Sequence, residues 1–447
     1  MMVRLIVLTS AWLAASILPA LSAEAGINPR PAPRELAKTD FSAIDSQARL
    51  VGRRDNLDEL AAVLAGFAHG DLEKARAIFA WEAANIGYDV EAYFGDAISG
   101  EANTADMTLK RGQAVCQGYS ELYKALANRM GLVCEIVGGE AKGYGFVVKG
   151  KIAGHAWNAV KIGEGWILID ATWGAGSVSE QHIYTPRFEE YFFDIDPELL
   201  AFTHCPDDPR WCLTREPTSA REFAARKYVS PWTLVGLVYA GLDEEGILPL
   251  ARDGVEVPSA DCAYLRSMHS AGLSARGLER IVRNGNAMPY LDDMLRLGVS
   301  EASIVRICEL RKSNPDIQGT DLLAFTKIGI GEGELLKALE GDQALPYVYA
   351  TFTNDPEYKP RSIRVIHAPL TESLRSGASY DFVIESEVYG KFAVLVEKTG
   401  KPEVRIPMVA SGPRHSLSSS FKAGQRVTLL YNVRDEQYYG ILTYLVK

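Results

Sequence analysis

Apolar positions along the chain change period several times, and the changes divide it. From Asn56 the spacing is helical, with Leu57, Leu60, Ala61 and Leu64 on one face. A second helix is predicted to start near Asp71, a good N-cap, to carry Leu72, Ala75, Ile78, Phe79 and Ala83, and to end near Asn85-Ile86-Gly87. After a polar loop through Gly100 and Asn103, the residues Tyr119, Leu122, Tyr123, Leu126 and Met130 form a further helical stripe, closed by Gly131. Extended backwards, that stripe puts Cys116 at or just before the first turn of the helix. Beyond Gly131 the period falls to two. Val133 to Val137, Gly145 to Val148, His155 to Ile162 and Trp166 to Ala171 are the predicted strands.

The rest of the chain reads in three further blocks. Trp173 to about Pro231 is irregular and aromatic (Tyr184, Phe188, Tyr191, Phe192, Phe193, Phe202, Trp211) and is expected to close over the first domain. Three helix-turn-helix units follow, each turning at a Gly-apolar-small triplet: Gly272-Leu273-Ser274, Gly298-Val299-Ser300 and Gly329-Ile330-Gly331. From Tyr347 about eight short strands alternate with glycine-marked turns, the pattern of a β-sandwich. The expected division is a leader at 1–23, a catalytic domain at 24–230, a linker at 231–260, a helical repeat region at 261–345 and a sandwich at 346–447.

Composition narrows the function classes. The 447 residues carry a formal charge of -10 without a long Lys/Arg run, so nucleic acid is not an expected partner. Arg4, the apolar stretch from Leu5 to Leu18, and the triplets Ala20-Leu21-Ser22 and Ala23-Glu24-Ala25 read as a cleaved export signal, placing the mature chain in a periplasmic or extracellular space. No later stretch reads as a membrane span. In an oxidising space Cys205 and Cys212, flanking a turn-rich loop, could form a disulfide; Cys262 and Cys308 could pair or be buried; Cys134 reads as a buried strand residue.

Cys116 has the reactive context. Unpaired amides and the positive dipole end at a helix start favour a thiolate. His155 and Asp170 lie on two strands that a two-residue Gly163-Glu164 turn would join. That turn places Trp157 opposite Asp170 and His155 two residues along on the same face. A three-residue loop would separate the two side chains. Cys116, His155 and Asp170 then supply an attacking thiolate, its proton carrier and an orienting carboxylate. The Cys116 amide is one expected oxyanion donor, with Gln113 or Trp157 as the second. A metal held by the same three residues is the chemical rival, disfavoured because a structural zinc wants four N/S ligands. Neither a metal nor a cofactor is expected.

Val115-Cys116-Gln117-Gly118-Tyr119-Ser120, His155-Ala156-Trp157-Asn158 and Asp170-Ala171-Thr172-Trp173 resemble the three signature segments of the transglutaminase-like superfamily. Asn85-Ile86-Gly87-Tyr88-Asp89 and His204-Cys205-Pro206 with Trp211 are similar to its kyphoscoliosis-peptidase-type branch. The resemblance implies a papain-like α+β core with Cys116, His155 and Asp170 as the triad, acting on a protein or peptide amide by hydrolysis or by transamidation. It also implies an Ig-like C-terminal sandwich, through which a cell-envelope or extracellular protein could be engaged. A core without activity, with the later segments binding a protein or glycan, is the non-catalytic alternative.

Overall fold

The computed structural model describes residues 39–447 apart from 96–99, 144–145, 147–149, 285–286, 342–343, 350–361 and 435–436. The expected leader and most of the predicted strand Gly145 to Val148 lie outside the described residues. No helix among the described residues is long and apolar enough to cross a membrane.

Three helices, Ser42–Leu50, Leu57–Ala65 and Asp71–Asn85, lead to the cysteine helix Cys116–Arg129. Asn56 caps the second of them, its Oδ1 accepting from Glu59 N at 2.8 Å. Asp71 is not the N-cap of the third. Gly70 takes that position with φ 88°, and Asp71 is the first helical residue, where its carboxylate faces the positive helix end. The cysteine helix closes as predicted: Gly131 has φ 82°, and the Leu132 and Gly131 amides donate to Ala127 O and Asn128 O.

Helix Asp71–Asn85 is buried along a continuous run from Ala75 to Ala83, because it packs against both Ser42–Leu50 and the cysteine helix. Two charged residues are caught in that run. Arg76 finds partners, with Nε and Nη2 each 2.7 Å from the Asp45 carboxylate. Glu82 does not: neither carboxylate oxygen has a hydrogen-bond partner, and burial, reinforced by the nearby Asp170 charge, raises its pKa well above the ordinary value. Glu82 is therefore a neutral acid. A folded-state pKa above the unfolded one is neutral in effect below about 4.5 and costs stability progressively as pH rises. Glu82→Met is expected to stabilise the chain by about 1–3 kcal/mol at pH 7 and by much less at pH 4, as thermal melts at the two pH values would read.

The core sheet has four antiparallel strands in the order Gly165–Ile169, Ala153–Ile162, Cys134–Ala141, His204–Pro206. The cysteine helix packs on its two middle strands. Asn158 joins the two layers, its Nδ2 donating to Ser120 O at 3.1 Å. All six cysteines are free, so Cys205 and Cys212 do not form the bridge that their loop would allow. Each of those two thiols is buried, and Cys205 Sγ instead faces Thr218 O at 3.8 Å. Cys262 and Cys308 are likewise unpaired, and Cys134 is a buried strand residue.

The stretch read as a linker is largely helical. Pro231–Tyr239 and Glu244–Asp253 form a helix pair around Gly241, ahead of the pairs Ser259–Ser270/Ala275–Asn284, Leu291–Arg296/Glu301–Ser313 and Gly319–Lys327/Glu332–Glu340. One turn serves all four. Gly241, Gly272, Gly298 and Gly329 have positive φ, and the next amide (Leu242, Leu273, Val299, Ile330) reaches back to Leu237, Met268, Met294 or Phe325 O. First helices pack on first helices and second on second. Ser274 and Ser300 each donate to a glutamate of the following pair, Glu301 and Glu332.

From Tyr347–Val348 onward the chain forms a four-stranded and a six-stranded sheet, mostly antiparallel. They share a core in which the Phe382 and Tyr444 rings lie 6.0 Å apart. The strand expected at Val404 to Val409 is two strands. Val404–Pro407 belongs to one sheet and Val409–Ser411 to the other, and buried Met408 makes the crossing.

Candidate active site

Cys116 is the first residue of its helix, after Val115 at the N-cap. Gly118 is required one turn in, since a Cβ there would lie 2.6 Å from Ala114 Cβ and 2.7 Å from Thr108 Oγ1. The hairpin beside it has the register the site needs. Ile162 pairs with Gly165 and Asn158 with Ile169, so the loop is the two-residue Gly163-Glu164 turn, with φ 58° at Gly163. His155 and Asp170 thus share a face, and His155 Nε2 lies 2.8 Å from Asp170 Oδ2. The other ring nitrogen, Nδ1, is left for Cys116, which lines the same cavity as His155.

Asp170 is fully buried and well supplied with donors. Its Oδ1 accepts from Trp173 N at 3.0 Å, capping the short helix Ala171–Gly174. Its Oδ2 faces His204 Nε2 at 3.2 Å as well as His155. Burial alone would raise its pKa; the His155 charge and hydrogen bond, with His204 behind them, reverse this and hold it below the ordinary value. Burial opposes the charged form of His155, but Asp170 and Cys116 outweigh it and raise its pKa to about 10. Burial also disfavours the Cys116 thiolate, yet the His155 hydrogen bond and charge, with a further bond from the Ala156 backbone, bring its pKa below the usual thiol value. At Cys134 burial outweighs the Lys124 charge and a hydrogen bond from Asn158 Nδ2, and the thiol is pushed up to about 12.

These directions define a thiolate–imidazolium pair. It forms as pH rises through the lowered Cys116 value and dissolves as His155 loses its proton near pH 10. Thiolate ultraviolet absorbance, wild type minus Cys116→Ala, is expected to appear well below the pH at which an ordinary thiol titrates.

The pair opens on a cavity of ≈ 560 Å³ walled by aromatic residues, among them Tyr88, Tyr93, Trp173, Tyr184 and Trp232. The proposed second oxyanion donors are not on its wall. Gln113 is exposed on the two-residue strand Gln113–Ala114. Trp157 is buried against His155, ring centroids 6.0 Å apart, with its Nε1 without a hydrogen-bond partner. Tyr88 does reach the wall beside Cys116, whose charge, after burial, helps keep the phenol protonated. Sequence reading gave Tyr88 and His204 no role. His204 stands 34 residues beyond Asp170, and only the pairing of His204–Pro206 onto Cys134–Ala141 brings it back. The cluster His155, Asp170 and His204 could also converge on a metal. Both imidazoles, however, address one carboxylate oxygen at hydrogen-bond distance, and Cys116 lines the cavity beside His155.

Residues 58–171, which include Cys116, His155 and Asp170, match the Transglutaminase-like superfamily. The likeness of this stretch is to the kyphoscoliosis-peptidase branch of that superfamily. Kyphoscoliosis peptidase of Mus musculus is 34% identical over 192 residues, 42% of this chain and 29% of that protein. The Homo sapiens protein of the same name gives the same values, so the chain spans less than a third of either relative. Hillarin of Drosophila melanogaster is 26% identical over 227 residues, 45% of this chain and 27% of that protein. A crystal structure described as that of a candidate cysteine protease from Cytophaga hutchinsonii shares 25% identity and covers 32% of this chain and 45% of that one. Its TM-score of 0.20 is too low to bear on the fold.

Proposed function

We propose that the protein is an exported cysteine hydrolase that cleaves a peptide or isopeptide amide through an acyl-enzyme. The supporting observation is the unbroken line from the Cys116 thiol through His155 to Asp170, set at a helix start and open to the cavity. The thiolate attacks the amide carbonyl carbon and forms the C–S bond. His155 gives its Nδ1 proton to the departing amine nitrogen as the C–N bond breaks. Water then attacks the thioester carbon, returns a proton to His155, and releases the acid and the thiolate. The Cys116 amide, at the helix start, and the Tyr88 hydroxyl are the candidate donors to the oxyanion. The helix pairs read as a repeat array and the terminal sheets as an Ig-like sandwich, which would present an envelope or extracellular protein to the cleft.

The cleft wall extends beyond the superfamily match to Tyr228, Pro231, Trp232 and Glu256. The first helix pair therefore contributes to substrate binding in this reading. Trp232→Ala is expected to raise KM about tenfold with little change in kcat, since a lost wall contact weakens ground state and transition state alike.

A peptide library assayed in parallel for amide hydrolysis and for incorporation of a labelled amine tests the proposal. Hydrolysis abolished by Cys116→Ala supports it. Amine incorporation without hydrolysis would make the protein a transamidase. Turnover unaffected by Cys116→Ala would refute both.

A further inference from the structure

We infer that His204 is a positioning residue for the Cys116–His155–Asp170 line: a neutral imidazole whose Nε2–H, beside that of His155, fixes Asp170 Oδ2. The inference rests on the proposed role of that line. It begins with a proton count. Asp170 Oδ2 lies 2.8 Å from His155 Nε2 and 3.2 Å from His204 Nε2. An ionised carboxylate oxygen only accepts, so each of these nitrogens carries a hydrogen. For His204 this leaves Nδ1 as the acceptor, if the ring is neutral.

The surroundings supply the matching donor. His204 Nδ1 lies 2.9 Å from Thr203 Oγ1. The Thr203 hydroxyl has one proton and a second acceptor within reach, Leu200 O at 3.2 Å. Given to Leu200, that proton would leave the ring either protonated on both nitrogens or facing Asp170 with a lone pair. The first is opposed by the neighbouring His155 cation and by burial, which seats the ring between Trp157 and Trp173 with centroids 5.0 and 4.4 Å away. The second sets a lone pair against a carboxylate. The arrangement that satisfies every group is Thr203 Oγ–H to Nδ1 and Nε2–H to Oδ2. Asp170 and His155 are the titratable groups facing the ring, and burial first, with the His155 charge, takes its pKa down to about 4. His204 thus stays neutral while His155 is cationic, and adds a hydrogen bond to Asp170 without adding a second positive charge beside His155.

With His204 in place Asp170 accepts three hydrogen bonds, from His155, His204 and Trp173 N. Removing one loosens the carboxylate and weakens its hold on the His155 proton. That weakens the imidazolium and, through it, the Cys116 thiolate. The effect reaches the sulfur through two intervening groups, so it reads out as a thiol titration.

The experiment follows the rate of Cys116 alkylation by iodoacetamide against pH, with labelled sites resolved by mass spectrometry. Wild type, His204→Ala, His204→Gln and Thr203→Val are compared, each shown to be folded by circular dichroism. In wild type the midpoint should lie well below that of an ordinary thiol. His204→Ala should move it up by about one pH unit and lower kcat by about 10–100-fold with KM retained, the size of effect known for groups that orient a functional side chain. His204→Gln keeps an N–H donor and a carbonyl acceptor and should recover part of the shift. Thr203→Val frees the tautomer and should move the midpoint in the same direction by less. An ordinary midpoint in wild type would overturn the proposed reading of the site itself. A depressed wild-type midpoint, unmoved in the folded His204 and Thr203 variants, would overturn the positioning role alone. If His204→Ala does not fold, His204→Gln and Thr203→Val decide the matter.

Discussion

Asp170→Asn is expected to lower kcat/KM by about 10³–10⁴-fold while the fold is retained, the scale set when an orienting carboxylate is made an amide elsewhere. The carboxylate accepts at both oxygens: Trp173 N at Oδ1, and the Nε2 atoms of His155 and His204 at Oδ2. An asparagine has one acceptor and one donor group to set in those places. With the NH₂ at the Oδ2 position it meets two ring nitrogens that both need an acceptor. His155 must then carry its neutral proton on Nδ1, toward Cys116, and can no longer take one from the thiol. With the NH₂ at the Oδ1 position it faces the Trp173 N–H, and His155 keeps its tautomer but loses the charge that holds its pKa at about 10. Either way the thiolate–imidazolium pair is lost at neutral pH. Steady-state kinetics on the substrate found by library screening would measure the drop, and Cys116 alkylation at pH 6 should fall in parallel.

Arg76→Ala is expected to cost about 3–5 kcal/mol of core stability. Its guanidinium lies within 4.8 to 5.4 Å of the ring centroids of Phe41, Phe79, Phe188 and Phe193, and it holds Asp45 through two contacts of 2.7 Å. Removing the cation leaves a shielded carboxylate with no counter-charge and four rings with a void between them. Lysine cannot restore both contacts, because it lacks the planar fork. The pair as a whole contributes far less than the single variant suggests. Arg76→Met with Asp45→Leu should regain most of the loss, since apolar replacement of a buried ion pair is often neutral. Exposure of the Cys134 thiol in a urea series reports the core transition. Phe193 also pairs with Ile169, next to Asp170, so the same variant should raise local fluctuation at the active site.

That Cys116, His155 and Asp170 converge was legible in the chain because their placement depends on local rules. A glycine that tolerates φ 58° fixed a two-residue turn, and the turn fixed which face His155 and Asp170 share. An apolar stripe with a glycine close fixed where the cysteine helix begins. What escaped depends on long-range packing. His204 reaches Asp170 only because its strand pairs across the sheet on Cys134–Ala141. Glu82 and Arg76 lie on a helix covered on both sides, where position in the heptad says nothing about exposure. The first helix pair was hidden by a nearly unbroken apolar run from Pro231 to Tyr239 and by Pro249 within its second helix. Both features blur a 3.6-residue period. The strand from Val404 was divided because Met408 passes from one sheet to the other, a choice made by the shared core and invisible to alternation.

In the proposed function Cys116, alone among the six cysteines, is an activated nucleophile. The direct test is site-resolved mass spectrometry after brief exposure of the folded protein to limiting iodoacetamide at pH 6, for wild type and His155→Ala. Label is expected on Cys116 in wild type, with essentially none on Cys134 or Cys308, whose pKa values are pushed up to about 12, and the Cys116 label should be lost in His155→Ala. Equal labelling of Cys116 and Cys134, or Cys116 labelling that persists undiminished in His155→Ala, would contradict it.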